Sequence, residues 1–223
     1  MQPYDQMIAT SQTSILSANK VIKNTYMLLS ATLIFSALMA MVSLYLAVPI
    51  WTYLASIIAS MVLGMFVLPR TANSASGIGV IFLITGLMGF GLGAVLTIYM
   101  QLPKGPEVIA TAFGGTAAIF LGLSGYALTT RRNFSFMGGF LFAGMMVVLL
   151  AFLANLFFAL PALSLAISAG VILLMSGFIL FDTSRIIHGG ETNYIMATYG
   201  LFLSIFNIFI HLLHLLMAFS GDD

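Results

Sequence analysis

The chain has 223 residues, of which 61% are hydrophobic and only 6% are charged. Soluble domains carry about 25% charged residues, so this composition excludes an ordinary water-soluble fold. The formal net charge of +1 by itself says nothing about nucleic acid. We expect no nucleic-acid partner, because the sequence has no basic patch rich in aromatic residues and no soluble domain to hold one. The chain contains no cysteine, which excludes disulfides, thiolate catalysis and cysteine-ligated metal sites.

Long, uninterrupted apolar segments predict transmembrane helices. A helix needs about 20 apolar residues to cross the hydrocarbon core, whereas the strands of a membrane barrel would alternate polar and apolar residues. Seven segments meet the helical criterion: 22–46, 50–69, 77–100, 107–129, 136–159, 162–186 and 194–219. We therefore predict an all-α membrane protein in which residues 20–223 form one seven-helix transmembrane domain.

Helix-breaking and polar residues separate these segments. The breaks contain Pro49, Pro69-Arg70 with Asn73, Pro103 to Pro106, Arg131 to Asn133, Pro161, and His188 to Gly190. The breaks at Pro49 and Pro161 are very short. We therefore expect helices 1 and 2, and likewise helices 5 and 6, to form antiparallel hairpins.

The basic residues predict the orientation in the membrane. With a cytoplasmic N-terminus, the only basic residue on the outer side is Lys104. The inner side then holds the other six: Lys20, Lys23, Arg70, Arg131, Arg132 and Arg185. Lys and Arg are enriched in cytoplasmic loops. The sequence thus predicts a cytoplasmic N-terminus and a periplasmic or external C-terminus.

Residues 1–19 are rich in Ser, Thr, Gln and Asn and lack the apolar region of a secretory signal peptide. This composition predicts a flexible cytoplasmic tail. Two interpretations are open: a solvated tail without a specific role, or a handle for a cytoplasmic partner.

Small residues at helical spacing predict close helix packing, because they let backbones approach one another in lipid. Such residues lie on one face of helices 3, 4 and 5: Gly86, Gly89 and Gly93; Ala118 and Gly122; Gly139 and Ala143. Packing within the bundle is the simpler expectation, and a dimer interface is the alternative.

Helix 7 carries a polar stripe among Leu, Ile and Phe. Its members are spaced by four, three, four and three residues: Gly200, Ser204, Asn207, His211 and His214. Polar groups inside a membrane face the bundle interior or a wet cavity, so we expect this stripe to point inward. Two histidines without a third ligand are a weak metal site. We expect hydrogen-bonded histidines and neither a metal nor another cofactor.

A second polar stretch closes helix 6. Asp182 follows a long apolar segment, Arg185 lies three residues later, and Glu191 lies in the following loop. A carboxylate at this depth should be paired, hydrogen-bonded or protonated. One interpretation is an ion pair with Arg185 at the end of the helix. The other is a carboxylate that senses protons or cations.

Three segments carry a resemblance to a known family. FDTSRIIHGGETNYI (181–195), LFLSIFNIFIHLL (201–213) and RRNFSF (131–136) resemble motifs of the Bax inhibitor-1 (TMBIM) family. The resemblance covers nearly the whole chain and implies the seven-helix Bax inhibitor-1 fold. KVIKNTY (20–26) and HGGETNYI (188–195) look most like a bacterial inner-membrane member that modulates the membrane AAA protease FtsH. This second resemblance implies a location in the bacterial inner membrane, with an FtsH-like protease and its membrane regulators as partners. It also implies that the chain inhibits the protease as a slowly degraded substrate.

The same family implies an alternative, a pH-sensitive leak for Ca²⁺ or other cations. Its calcium-leak members use two aspartates that share a proton, one closing helix 6 and one in helix 7. Asp182 matches the first, but Ser204 stands at the second position, and Asn207 matches the polar residue three positions later. Because Ca²⁺ prefers several oxygen ligands, mostly carboxylates, the missing aspartate favours the protease modulator. Glu191 is the carboxylate nearest to Asp182 in the sequence that could compensate for the missing aspartate.

An enzymatic interpretation rests on one motif. Gly122-Leu-Ser124-Gly125 resembles the GxSG of intramembrane serine proteases, whose serine needs a histidine base. His211 and His214 lie toward the outer end of helix 7, while Ser124 lies toward the inner end of helix 4. This separation is roughly 15–25 Å along the membrane normal, so we expect a protein that is not an enzyme.

Overall fold

The computed structural model describes the backbone of residues 2–220 and the side chains of residues 18–220. Within the described residues, seven helices long and apolar enough to cross a membrane follow one another. They are α1 (Gln2–Tyr45), α2 (Trp51–Thr71), α3 (Ser76–Met100), α4 (Gly105–Thr130), α5 (Gly138–Phe158), α6 (Pro161–Ile187) and α7 (Tyr194–Ser220).

The seven-helix prediction is confirmed. The part of α1 that qualifies as a membrane span is Ala18–Tyr45, and a short 3₁₀ turn, Ser135–Met137, begins the fifth span. The largest boundary error is at the first helix, which was expected to begin at residue 22. The backbone of residues 2–19 continues α1, and the side chains of residues 1–17 lie outside the described part of the chain. The flexible tail, residues 1–19, therefore stays a prediction.

The connection between α5 and α6 is short because of the residues at the two helix ends. Pro161 opens α6, where its fixed φ suits a first turn and its missing N–H costs nothing. Ala159, the residue directly after α5, takes a left-handed conformation with φ of 48°. The backbone N–H of Leu160 then donates to Asn155 Oδ1 at 3.1 Å. The chain therefore reverses within two residues, and α5 packs directly on α6.

Helix α7 is the centre of the bundle and packs against α1, α4 and α6. Its core side chains Leu201, Phe202 and Ile208 are at most 1% exposed. Helix α5 lies at the periphery, and among its residues only Leu141 is buried. The centre of the fold is thus the helix that carries the polar stripe.

Helix α2 contains an irregular turn. A π-helical segment, Leu63–Val67, interrupts it between two α-helical stretches. Gly64 in this segment lies against α7, where a Cβ atom would stand 2.6 Å from Cζ of Tyr199. The widened turn lets the tyrosine ring of α7 pack against the backbone of α2.

Helices α1 and α2 follow one another through a short turn, but α3 lies between them and packs extensively against both. The glycines of α3 explain this arrangement. Cβ atoms at Gly89 and Gly93 would overlap the carbonyl oxygens of Ser36 and Ala40 on α1. The two backbones therefore approach more closely than any larger residue would allow.

The other two small-residue pairs do not pack as expected. Ala118 and Gly122 of α4, and Gly139 and Ala143 of α5, are exposed on the outside of the bundle. A Cβ atom at either glycine would meet no described atom within 4 Å. Spacing alone therefore did not distinguish an internal helix contact from a surface position.

Substitution of Gly89 by Ala should destabilise the bundle by about 1–3 kcal/mol, because the new methyl group meets main-chain atoms of Ser36 that cannot rotate away. Thermal unfolding in detergent measures the effect. Gly79→Ala is the matched control on the same helix, since a Cβ atom there has no neighbour within 4 Å. Equal melting temperatures for the two variants would contradict the close α1–α3 contact.

Candidate functional site

Polar side chains from three helices meet near the end of the bundle that is predicted to be the inner, cytoplasmic one. The hydroxyl of Tyr26 on α1 forms a short hydrogen bond with Ser124 Oγ on α4. The same hydroxyl lies 3.3 Å from Thr183 Oγ1 on α6. Ser124 and Thr183 are almost fully buried. We call Tyr26, Ser124, Thr183 and the adjacent Asp182 the inner polar cluster.

Asp182, near the end of α6, lies beside Gly200 of α7. A Cβ atom at Gly200 would stand 2.9 Å from Asp182 Oδ2, so the glycine leaves room for the carboxylate beside the α7 backbone. Asp182 is half-buried. Within the described part of the chain, no group donates a hydrogen bond to its carboxylate, and no cationic nitrogen lies within 4.0 Å of it. Among the described residues, the carboxylate thus lies beside the α7 backbone without a hydrogen-bond donor or a cationic partner.

Arg185 does not form the ion pair with Asp182 that its spacing suggested. Its guanidinium lies 3.7 Å from Glu191 Oε2 and donates to the carbonyl oxygen of Gly190 at 3.1 Å. The same group lies over the ring of Phe181, 5.6 Å from the centroid. The loop after α6 folds back on the helix end, which brings Glu191 closer to Arg185 than Asp182 is.

The side chain of Asn193 links two loops at the end of the bundle that is predicted to be cytoplasmic. Asn193 donates through Nδ2 to the carbonyl oxygen of Ala72 at 3.0 Å and to Asn73 Oδ1 at 2.8 Å. Its Oδ1 accepts from the backbone N–H of Ile195 at 2.9 Å and so caps α7. The loop that precedes α7 is therefore fixed to the loop that precedes α3.

The polar stripe of α7 continues outward from the inner polar cluster. Ser204 is only 3% exposed and lies one helical turn beyond Gly200. Asn207 donates through Nδ2 to the carbonyl oxygen of Leu203 at 2.8 Å, within its own helix. The position that corresponds to the second aspartate of the calcium-leak members is therefore a buried hydroxyl. On α7, Gly200 lies beside the Asp182 carboxylate.

The two histidines of the stripe converge on a serine that the sequence did not single out. Ser168 Oγ on α6 lies 3.0 Å from Nδ1 of His211 and 2.9 Å from Nδ1 of His214. A hydroxyl has one hydrogen, so with neutral rings it donates to one histidine and accepts from the other. We call these three residues the outer histidine cluster; it joins α6 to α7.

Sequence reasoning missed Ser168 because its partners lie 43 and 46 residues away. In the sequence Ser168 is a lone serine in an apolar helix, and its role depends on the residues of other helices that face it. Ser124, which carries the protease-like motif, contacts a tyrosine hydroxyl instead of a histidine. Ser168 contacts histidines but is only 2% exposed, so a peptide substrate has no access to its hydroxyl in this conformation.

Replacement of Ser168 by Ala should lower the free energy of unfolding by roughly 0.5–2 kcal/mol, because both Nδ1 atoms lose their partner inside the bundle. Thermal unfolding in detergent measures this loss. Ser164→Ala is the matched control one turn earlier on α6, where the described residues offer the hydroxyl no hydrogen-bond partner. A Ser168→Ala variant as stable as the control would show that the cluster does not join the helices.

Comparison with known proteins matches this architecture. The sequence pattern of the family described as "Inhibitor of apoptosis-promoting Bax1" matches residues 18–221. The "Modulator of FtsH protease YccA" of Escherichia coli K12 is 49% identical over 220 residues, which cover 98% of this chain and 100% of that protein. A membrane protein of Vibrio cholerae is 47% identical over 208 residues, or 93% of each chain. The chain therefore belongs to the Bax inhibitor-1 family, and within it is similar to YccA along its whole length.

Proposed function

We propose that this chain binds a membrane-bound AAA protease of the FtsH type and slows it by acting as a poor substrate. The observation that carries the proposal is the similarity to YccA, whose name states that it modulates FtsH protease. The identity of 49% extends over both chains almost end to end, so the similarity is not confined to one segment.

The packing of the bundle supports resistance to extraction. A processive protease must pull one helix after another out of the membrane, beginning at the end that it grips. The first helix, α1, is joined to α3 through backbone contacts at Gly89 and Gly93. Its Tyr26 is also hydrogen-bonded to α4 and α6. Extraction of α1 therefore requires the disruption of contacts to most of the bundle, which is slow when unfolding barriers are high.

The orientation that we propose places the N-terminus and the protease on the same, cytoplasmic side. Six of the seven basic residues then lie inside, as the positive-inside rule requires. Lys20, Lys23, Arg131 and Arg132 are exposed at the ends of the helices that would face the cytoplasm. In this orientation residues 1–19 form the handle, and the bundle resists the pull.

The cation-leak alternative has weaker support. Asp182 is placed to exchange a proton or bind a cation, but Gly200 and Ser204 supply no second carboxylate from α7. A single carboxylate among hydroxyl groups is a poor Ca²⁺ site, since Ca²⁺ takes six to eight oxygen ligands.

The test uses proteoliposomes that contain the purified protease and a second membrane-protein substrate. Addition of the full chain should slow degradation of that substrate in a saturable way, because each bound copy occupies a protease. Degradation at an unchanged rate over all amounts of added chain would refute the proposed function. An equal amount of an unrelated seven-helix membrane protein controls for crowding of the bilayer.

A further inference from the structure

We propose that the loop between α4 and α5 presents Arg131 and Arg132 as a fixed docking site for an acidic segment on the cytoplasmic side of the protease. The inference rests on the proposed function and names the contact surface that this function requires. Two features of the loop carry it: a backbone fixed by a buried side chain, and a pair of cationic groups that no side chain among residues 18–220 neutralises.

The backbone of the loop is fixed by one hydroxyl of α6. Ser184 Oγ accepts a hydrogen bond from the backbone N–H of Phe134 at 2.9 Å and donates to the carbonyl oxygen of Arg132 at 3.2 Å. Ser184 is 1% exposed. The hydroxyl thus holds the chain on both sides of Asn133 and sets the position from which the two arginine side chains extend.

Further contacts hold both ends of the loop. The backbone N–H of Arg131 donates to the carbonyl oxygen of Ala127 at 2.9 Å, and Arg131 takes a left-handed φ of 49° where α4 ends. Beyond Asn133, the ring of Phe134 lies between those of Tyr126 and Phe136, with centroids 6.2 and 6.5 Å away. The loop is therefore a short, ordered turn.

The two arginines differ from Arg185, which lies near the same end of the bundle. Arg185 is partly neutralised by Glu191 at 3.7 Å. Arg131 and Arg132 are exposed. Across residues 18–220, no carboxylate lies within 4.0 Å of either guanidinium, and neither guanidinium donates a hydrogen bond. Two free guanidinium groups on a rigid turn are suited to carboxylates, which they bind through two parallel hydrogen bonds.

An acidic protein segment fits this loop better than an anionic membrane surface does. Lipid-binding basic segments contain about four to eight Lys or Arg residues and need no fixed backbone, since each charge acts through the surface potential. This loop has two arginines, and a buried hydroxyl of α6 fixes its backbone. A fixed backbone lowers the ordering cost of binding a partner whose groups match its geometry, as the carboxylates of a protein segment can.

The experiment compares two charge-neutralised variants of the full chain. Each chain is reconstituted in nanodiscs of zwitterionic lipid and, in a parallel series, of anionic lipid, and its binding to the purified protease is titrated. Arg131→Gln/Arg132→Gln should weaken binding on the order of tenfold and flatten its dependence on salt. Lys20→Gln/Lys23→Gln removes the same two charges from the same side and should change affinity much less. Ser184→Ala, which releases the loop at unchanged charge, should weaken binding by a factor of about three.

The possible outcomes separate this inference from the proposed function. Failure of the wild type to bind the protease would overturn both. Equal affinities of the wild type and the arginine variant would overturn the docking site alone. Equal losses for the arginine and lysine variants would reduce the effect to net charge and also overturn it. A loss found only in nanodiscs with anionic lipid would assign the arginines to the membrane surface instead.

Discussion

Deletion of residues 2–17 is expected to lengthen the lifetime of this protein several-fold in cells that contain the protease. A membrane AAA protease needs a segment on its own side of the membrane from which to begin, and the polar tail is the proposed segment. The deletion leaves the whole membrane span of α1, Ala18–Tyr45, in place. The thermal stability of the bundle in detergent should therefore remain unchanged. Pulse-chase decay and thermal unfolding measure the two quantities.

Two controls make this result specific. A tail of equal length made of Gly and Ser should restore degradation, because it is flexible and lies on the same side. A reporter that is active only outside the cytoplasm should be silent when fused after Asn133 and active when fused after Asp223. The reverse reporter pattern would place the tail beyond the reach of a cytoplasmic protease. An unchanged lifetime, when the protease degrades the full chain, would refute the handle.

Reconstituted wild-type protein is expected to show little Ca²⁺ influx between about pH 6 and pH 8, because α7 offers no carboxylate beside Asp182. The variant Ser204→Asp should raise the influx and make it depend on pH, since two nearby carboxylates share a proton. Asp182→Asn in that background should change or abolish the pH response. A fluorescent Ca²⁺ indicator inside liposomes measures the influx.

The matched control is Ser204→Asn, which introduces a side chain of nearly the same size without a charge. It should leave influx at the wild-type level, so that a rise in the aspartate variant reports the carboxylate and not a disturbed helix contact at this buried position. Robust, pH-dependent influx through the wild type would show that Asp182 suffices alone. The cation-leak function would then have stronger support than protease modulation.

The sequence by itself determined the membrane class, the seven spans and the family. These properties depend on local features: the length of apolar segments, the residues that break them, and motifs such as FDTSRIIHGGETNYI (181–195) that are read along the chain. The hydrocarbon core requires about 20 apolar residues for each helix, so every span is visible without knowledge of its neighbours. The orientation predicted from the basic residues is of the same local kind and awaits the reporter test.

The tertiary structure decided which residues meet. Ser168 is hydrogen-bonded to two histidines, and Ser184 to the loop between α4 and α5. These partners lie 43 to 52 residues away in the sequence. The spacing of Asp182 and Arg185 suggested a pair within one helix, but the following loop brought Glu191 to the arginine. Likewise, Gly89 packs against α1 while Gly122 and Gly139 lie on the surface. The periodicity of one helix shows which residues share a face, but the neighbour of that face depends on how all seven helices pack together.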